Sequence, residues 1–187
     1  MAEKRVRYTS RTKARKRAAD ILFEADQKGI VRNPAAVRDL LAERRALTAA
    51  PSPLPEYSAT IVEGVAGDLP AIDRALGRHA KGAGLDRLPA VDVAVMRVAV
   101  WEMLNNSTDV PRVTAIDEAV SVVKDLSTDE SPAYVNGVLD AVRKELDQRE
   151  GPAPAGEEAG GGIEGAAQMS DPVPADPTVD EDVFDEY

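Results

Sequence analysis

AVDVAVMRVAVWEML, residues 90–104, decides the fold. Its only charges, Asp92, Arg97 and Glu102, are five residues apart, so on a helix they point in three directions and the rest is apolar on every side. A surface helix has one apolar stripe facing inward. This segment has no polar face to offer to water and has to be wrapped by other helices. With three charges in about fifteen residues it is also too short and too polar to cross a bilayer. The expectation is a central buried helix in an all-α protein.

The sequence on either side keeps the helical period. Upstream, a helix is predicted from about Ser10 to Lys28, with Thr9, Ser10 and Thr12 as candidate N-caps and Gly29 as its stop. Ala14, Ala18, Ile21, Leu22 and Ala25 share its inner face. Asn33–Pro34 reads as a cap followed by proline in the first turn, leading a helix that buries Val37, Leu40 and Leu41. Ala46–Pro55, with three prolines, is a loop. Tyr57, Ile61, Val62 and Val65 define a third helix, Gly67–Pro70 a break, and Ile72, Leu76 and Ala80 a short fourth one. Lys81–Leu88 is a connection. Downstream, Pro111 restarts the chain into Arg112–Leu126. Ser131–Pro132 reads as a second cap-plus-proline start, leading a last helix with Val135, Val138, Leu139, Val142 and Leu146 on one stripe. Asn136–Gly137 falls inside that stripe and reads as mid-helix. Gly137 there predicts the close approach of a neighbouring backbone. No stretch alternates with the period of a strand. About seven helices result.

Composition agrees. Apolar residues make up 43% of the 187, aromatics only 4%, so the core is aliphatic and alanine-rich, which suits packed helices. There is no cysteine, which excludes disulfides and thiolate metal sites, and a single histidine excludes a His-rich one. The net charge of −10 is unevenly placed. Residues 151–187 hold ten acids, no Lys or Arg, six Gly and five Pro, and read as a disordered acidic tail. Residues 1–20 hold eight basic and two acidic side chains, and residues 1–9 read as a disordered basic N-terminus. The folded domain is placed at 10–150. The basic, polar start does not read as a signal peptide, and a soluble, cytoplasmic protein is expected.

Catalytic signals are weak. There is no phosphate loop, no GxGxxG after a strand and no HExxH. His79 stands alone, and Lys81–Gly84 lacks the rest of a phosphate-binding motif. The sharpest local signal is the cluster Lys4, Arg5, Arg7, Arg11, Lys13, Arg15, Lys16 and Arg17. On a helical wheel Lys13, Arg15, Lys16 and Arg17 lie opposite the Ala14/Ala18/Leu22 stripe, so the helix is expected to dock inward and present cations outward. Arginine's planar fork suits phosphate and base stacking, and Tyr8 lies within reach of a base.

At this point the residues carry a resemblance. DVPRVTAIDEAVSVVKDL followed by SPAYVNGVLD resembles the C-terminal signature of the bacterial transcription antitermination factor NusB family. VAVMRVAVWEML resembles that family's central helix and RTKARKRAADILFEAD its N-terminal helix, and the blocks run in family order from Arg11 to Leu146. The resemblance implies an all-α fold of two small packed helical bundles, no enzymatic activity and no cofactor. It implies binding to boxA RNA of nascent ribosomal RNA together with NusE, a small-subunit ribosomal protein, within an RNA polymerase antitermination complex.

By that resemblance Arg11, Lys13 and Arg15 match the arginine-rich RNA-binding motif, with Lys16 and Arg17 beside them. Tyr134 takes the aromatic position before VNGVLD, and Glu130 and Ser131 match the loop preceding it, near the RNA. Asp86 and Asp92 fall near acidic positions facing NusE. The chain departs from the pattern at Thr12, Ala133 and Val113, where basic residues occur, and at Phe23, where Tyr is common. The alternative is a homodimeric protein-interaction module whose basic face is masked.

Overall fold

In a computed structural model that describes residues 8–46, 53–80, 82 and 84–151, the segment quoted above is α4 (Ala90–Asn105). Every residue from Asp92 to Met103 is buried. Around it stand α1 (Ser10–Gln27), α2 (Pro34–Ala46), α3 (Glu56–His79), α5 (Arg112–Leu126) and α6 (Ser131–Glu150), with one 3-10 turn at Leu85–Arg87. The described residues contain no strand. α1, α2 and α3 pack on one another, as do α4, α5 and α6. α4 also packs against α1 and α3, which joins the two groups through one continuous core.

The helix ends follow local chemistry. The Thr9 hydroxyl accepts the Thr12 N–H at 3.1 Å and caps α1. At the other end Gly29, at φ +69°, lets its own N–H reach the Asp26 carbonyl and the Ile30 N–H reach Ala25, closing the last turn. Asn33 Oδ1 accepts the Ala35 and Ala36 N–H groups at 3.1 and 3.2 Å and starts α2. Ser131 is different: it is the first residue of α6 rather than its cap, and its side chain turns inward.

The expected break at Gly67–Pro70 does not occur. α3 runs unbroken for 24 residues, so two of the expected seven helices are one. Proline inside a helix costs about 3 kcal/mol. Here Val65, Leu69, Ile72 and Leu76 form a single buried stripe at helical spacing, and burying each contributes about 1.5–3 kcal/mol. Gly67 and Pro70 both lie on the exposed side, so neither interrupts that stripe.

Gly137 is also exposed, and a Cβ built on it meets nothing within 4 Å, so the close approach expected there is absent. The glycine that does permit one is Gly64 of α3. Trp101 of α4 lies across it, and a Cβ would fall 2.1 Å from the indole Nε1. The segments 1–7 and 152–187, read from sequence as the basic N-terminus and the acidic tail, lie outside the described residues. Tyr8 and Thr9 are described and make specific contacts.

Candidate nucleic-acid interface

The three charges of α4 fix how the helices meet. Asp92 accepts a 2.6 Å hydrogen bond from the Ser131 hydroxyl of α6, and Ser131 is bridged to Ser127 and Thr128. Arg97 donates two hydrogen bonds to Asp73 of α3, at 2.8 and 3.1 Å, and a third to Asp26 of α1 at 3.2 Å. Glu102, fully buried, accepts Arg15 Nε on both oxygens at 2.9 and 3.0 Å and also the Tyr57 hydroxyl. Arg97 and Glu102 are thus ion-paired with different parts of the wrapping, whereas Asp92 holds one hydroxyl and leaves its Oδ1 without a partner among the described residues. Such pairs do little for net stability, but removing one partner is expensive, so they enforce a single arrangement.

The Glu102 site seats α1. Arg15 is 5% exposed, and its other guanidinium nitrogen reaches Glu118 of α5 at 3.2 Å. Burial opposes its charge, but the hydrogen bond to Glu102 and the charges of Glu102 and Glu118 together outweigh that and raise its pKa. Burial and the hydrogen bond to Glu102 push the Tyr57 phenol up to about 12, so it stays a donor throughout the physiological range. Asn106 in turn donates to that phenol oxygen at 3.2 Å. The guanidinium groups of Arg11 and Arg15 stand 5.4 and 5.8 Å from the Tyr57 ring centre, within cation–π range.

Arg15 is therefore not on the outward face where the helical wheel placed it. It lies in line with Ala19 and Leu22, at i+4 and i+7, on the edge of the buried stripe. The signal for this was α4 itself: Glu102 on a wrapped helix needs buried donors to hold its charge, and Arg15 and Tyr57 supply them. Lys13 is exposed and Lys16 and Arg17 partly so, and among the described residues none of the three forms an ion pair. Arg11 is exposed and paired with Asp109 at 2.8 Å. The cations of α1 divide into one that anchors the helix and four that stand outside.

The start of α1 meets the end of α5. Tyr8 donates to Asp125 and, at 3.4 Å, to the Ser121 carbonyl, and burial together with Asp125 raises its phenol to about 12. The connection carrying Glu130 into α6 follows directly. Glu130 is exposed. Tyr134 is half-buried against the core, its hydroxyl buried without a hydrogen-bond partner among the described residues. Ser131 is buried on Asp92, so neither of these two polar side chains is available at the surface, contrary to their expected places in the RNA loop and on the NusE side. Asp86 is exposed in the 3-10 turn.

His79 Nε2 donates to Glu145 at 2.7 Å, beside an Arg78–Glu145 ion pair, and so belongs to the contact between α3 and α6. The described residues hold no group of three or more His, Asp or Glu placed to bind a metal ion, and no helix among them is long and apolar enough to cross a membrane.

These features define a class: an all-helical scaffold whose interior cations are spent on packing and whose first helix presents three outward cations without ion pairs among the described residues. Residues 12–144 match the NusB family. The transcription antitermination protein NusB of Beutenbergia cavernae is 50% identical over 133 residues, covering 70% of this chain and 86% of that protein. The protein of the same name from Saccharopolyspora erythraea is 50% identical over 132 residues, covering 70% and 84%. Among solved structures, T. maritima NusB superposes with a TM-score of 0.59 at 29% identity, over 74% of this chain and 94% of that one. A NusB chain from a complex of antitermination factors NusB and NusE with double-stranded RNA gives 0.57 at 25% identity, over 72% and 96%. This chain belongs to the NusB family, which consists of transcription antitermination factors and not of enzymes.

Proposed function

We propose that this protein binds boxA-type RNA in nascent ribosomal RNA transcripts together with NusE, as part of an antitermination complex of RNA polymerase. The observation that carries the reading is the row Lys13, Lys16 and Arg17 on the outer side of α1, charged and without ion-pair partners among the described residues, in a molecule that pairs its interior charges. Arg11 stands on the other side of the helix, over the Tyr57 ring, and its single exposed partner, Asp109, is readily exchanged for a phosphate. The solved complex that holds NusB, NusE and RNA together supports the same partners. Tyr134 offers a ring edge to a base beside Glu130, and Asp86 is the acidic side chain of the expected pair left open to NusE.

The test is RNA binding as a function of salt, with and without NusE, using boxA and scrambled RNA. Replacing Lys13, Lys16 and Arg17 with Ala should flatten the log–log salt slope by roughly 2, the value for three phosphates of a single strand, without changing the melting temperature. An unchanged slope places the RNA elsewhere. Sizing the protein with and without NusE identifies a homodimer that hides this face. Asp86→Lys should weaken NusE capture and leave binding of RNA alone intact.

A further inference from the structure

A second feature lies outside the RNA reading. Between the start of α2 and the middle of α3 is an open cleft of about 490 Å³. Arg32 and Arg74 stand on its rim, both exposed and neither in an ion pair among the described residues. The one acid in its lining, Asp73, is held by two hydrogen bonds from Arg97 and is not free to neutralise them. Its apolar lining is Pro34 and Pro70, both exposed, with Ala66 and Leu69, both buried. The space above Gly67 is empty to at least 4 Å.

We propose that this cleft binds an extended acidic peptide segment of a partner protein. The rim arginines take its carboxylates, and an aliphatic side chain of the peptide lies over Gly67 between Pro34 and Pro70. The lining suits RNA poorly: it has no aromatic ring to stack a base, and Asp73 opposes a run of phosphates. The site is also remote from the basic row. Asp26, which shares Arg97 with Asp73, is thirteen residues beyond Lys13 on α1, a rise of about 20 Å. Both ligands can therefore be held at once.

The test uses the full chain and a fluorescein-labelled peptide of alternating Asp and Val, with an Asn/Val peptide and single-stranded RNA as comparisons. Binding is read by anisotropy at low salt. The Asp/Val peptide should bind, and the Arg32→Glu, Arg74→Glu double variant should weaken it by about tenfold while leaving RNA affinity unchanged. Gly67→Leu should block the peptide and keep or raise the melting temperature, since leucine favours the helix and the site is open. Equal binding of the Asp and Asn peptides, no binding of either, or affinity unaltered in both variants overturns the proposal. Loss of RNA affinity in the double variant overturns it as well, and makes the cleft an RNA surface.

Discussion

The seam around α4 and the outer surface of α1 and α6 employ the same residue types with opposite consequences. Arg15 and Lys13 are two positions apart on one helix. Arg15 is enclosed by Glu102, Glu118 and Tyr57, whereas Lys13 is exposed and unpaired among the described residues. Gly64 and Gly137 are both mid-helix, yet one lies against an indole and the other faces open space. The difference teaches that in this molecule a residue's role is set by what it packs against and not by its type. Charges that find partners define the geometry, and charges that do not are left for ligands.

The strongest way to break this contrast is at Glu102. Glu102→Ala leaves Arg15 buried without its main partner and should cost about 3–5 kcal/mol in urea unfolding. Lys13→Ala, at an exposed position without an ion pair among the described residues, should stay within about 0.5 kcal/mol of the parent protein. Similar losses at both positions would mean that the outer row is structural too.

The glycines give the next two effects, of opposite sign. Gly64→Ala should destabilise by about 1–3 kcal/mol, because Trp101 or the α3–α4 spacing has to shift. Gly137→Ala should stabilise by up to about 1 kcal/mol through helix propensity alone. Thermal melts of the two variants should move in opposite directions, and movement in the same direction would remove the distinction between seam and surface.

The smallest effect sharpens it with pH. Hydrogen bonds from Arg44 and then Lys28 hold the Glu24 carboxyl down to about 2, against an ordinary 4.5. A carboxyl depressed by folding contributes its stability in full above pH 4.5 and loses it as pH falls from 4.5 toward 2. The group is partly exposed, so the contribution is at most about 1 kcal/mol. The stability difference between the parent protein and Glu24→Gln should therefore shrink over that interval and be flat above it.

Much of the frame was legible because it depends on local chemistry and period. Thr9, Gly29 and Asn33 act where cap chemistry puts them, and Ala14, Ala18, Leu22, Val37 and Leu40 are buried as their spacing requires. The misreadings have a common cause in tertiary context. Gly67–Pro70 reads as a break until Leu69 is seen to carry the stripe through it. Ser131 reads as a cap until Asp92 is found beneath it. Arg15 reads as one more surface cation until Glu102 is placed opposite. For the candidate site this means that the row Lys13, Lys16 and Arg17 was legible from charge and phase, while the anchor that orients it joins residues 87 positions apart.

Trp101 is the only tryptophan in the chain, 7% exposed and lying across Gly64. The protein therefore has a native optical reporter at the contact between α3 and α4. Its emission should be blue-shifted in the folded state and move to the red when that contact opens. Lys13, Lys16 and Arg17 lie on a different helix, and replacing them should leave the spectrum unaltered. One cuvette measurement can thus separate a variant that has lost its ligand from one that has lost its fold.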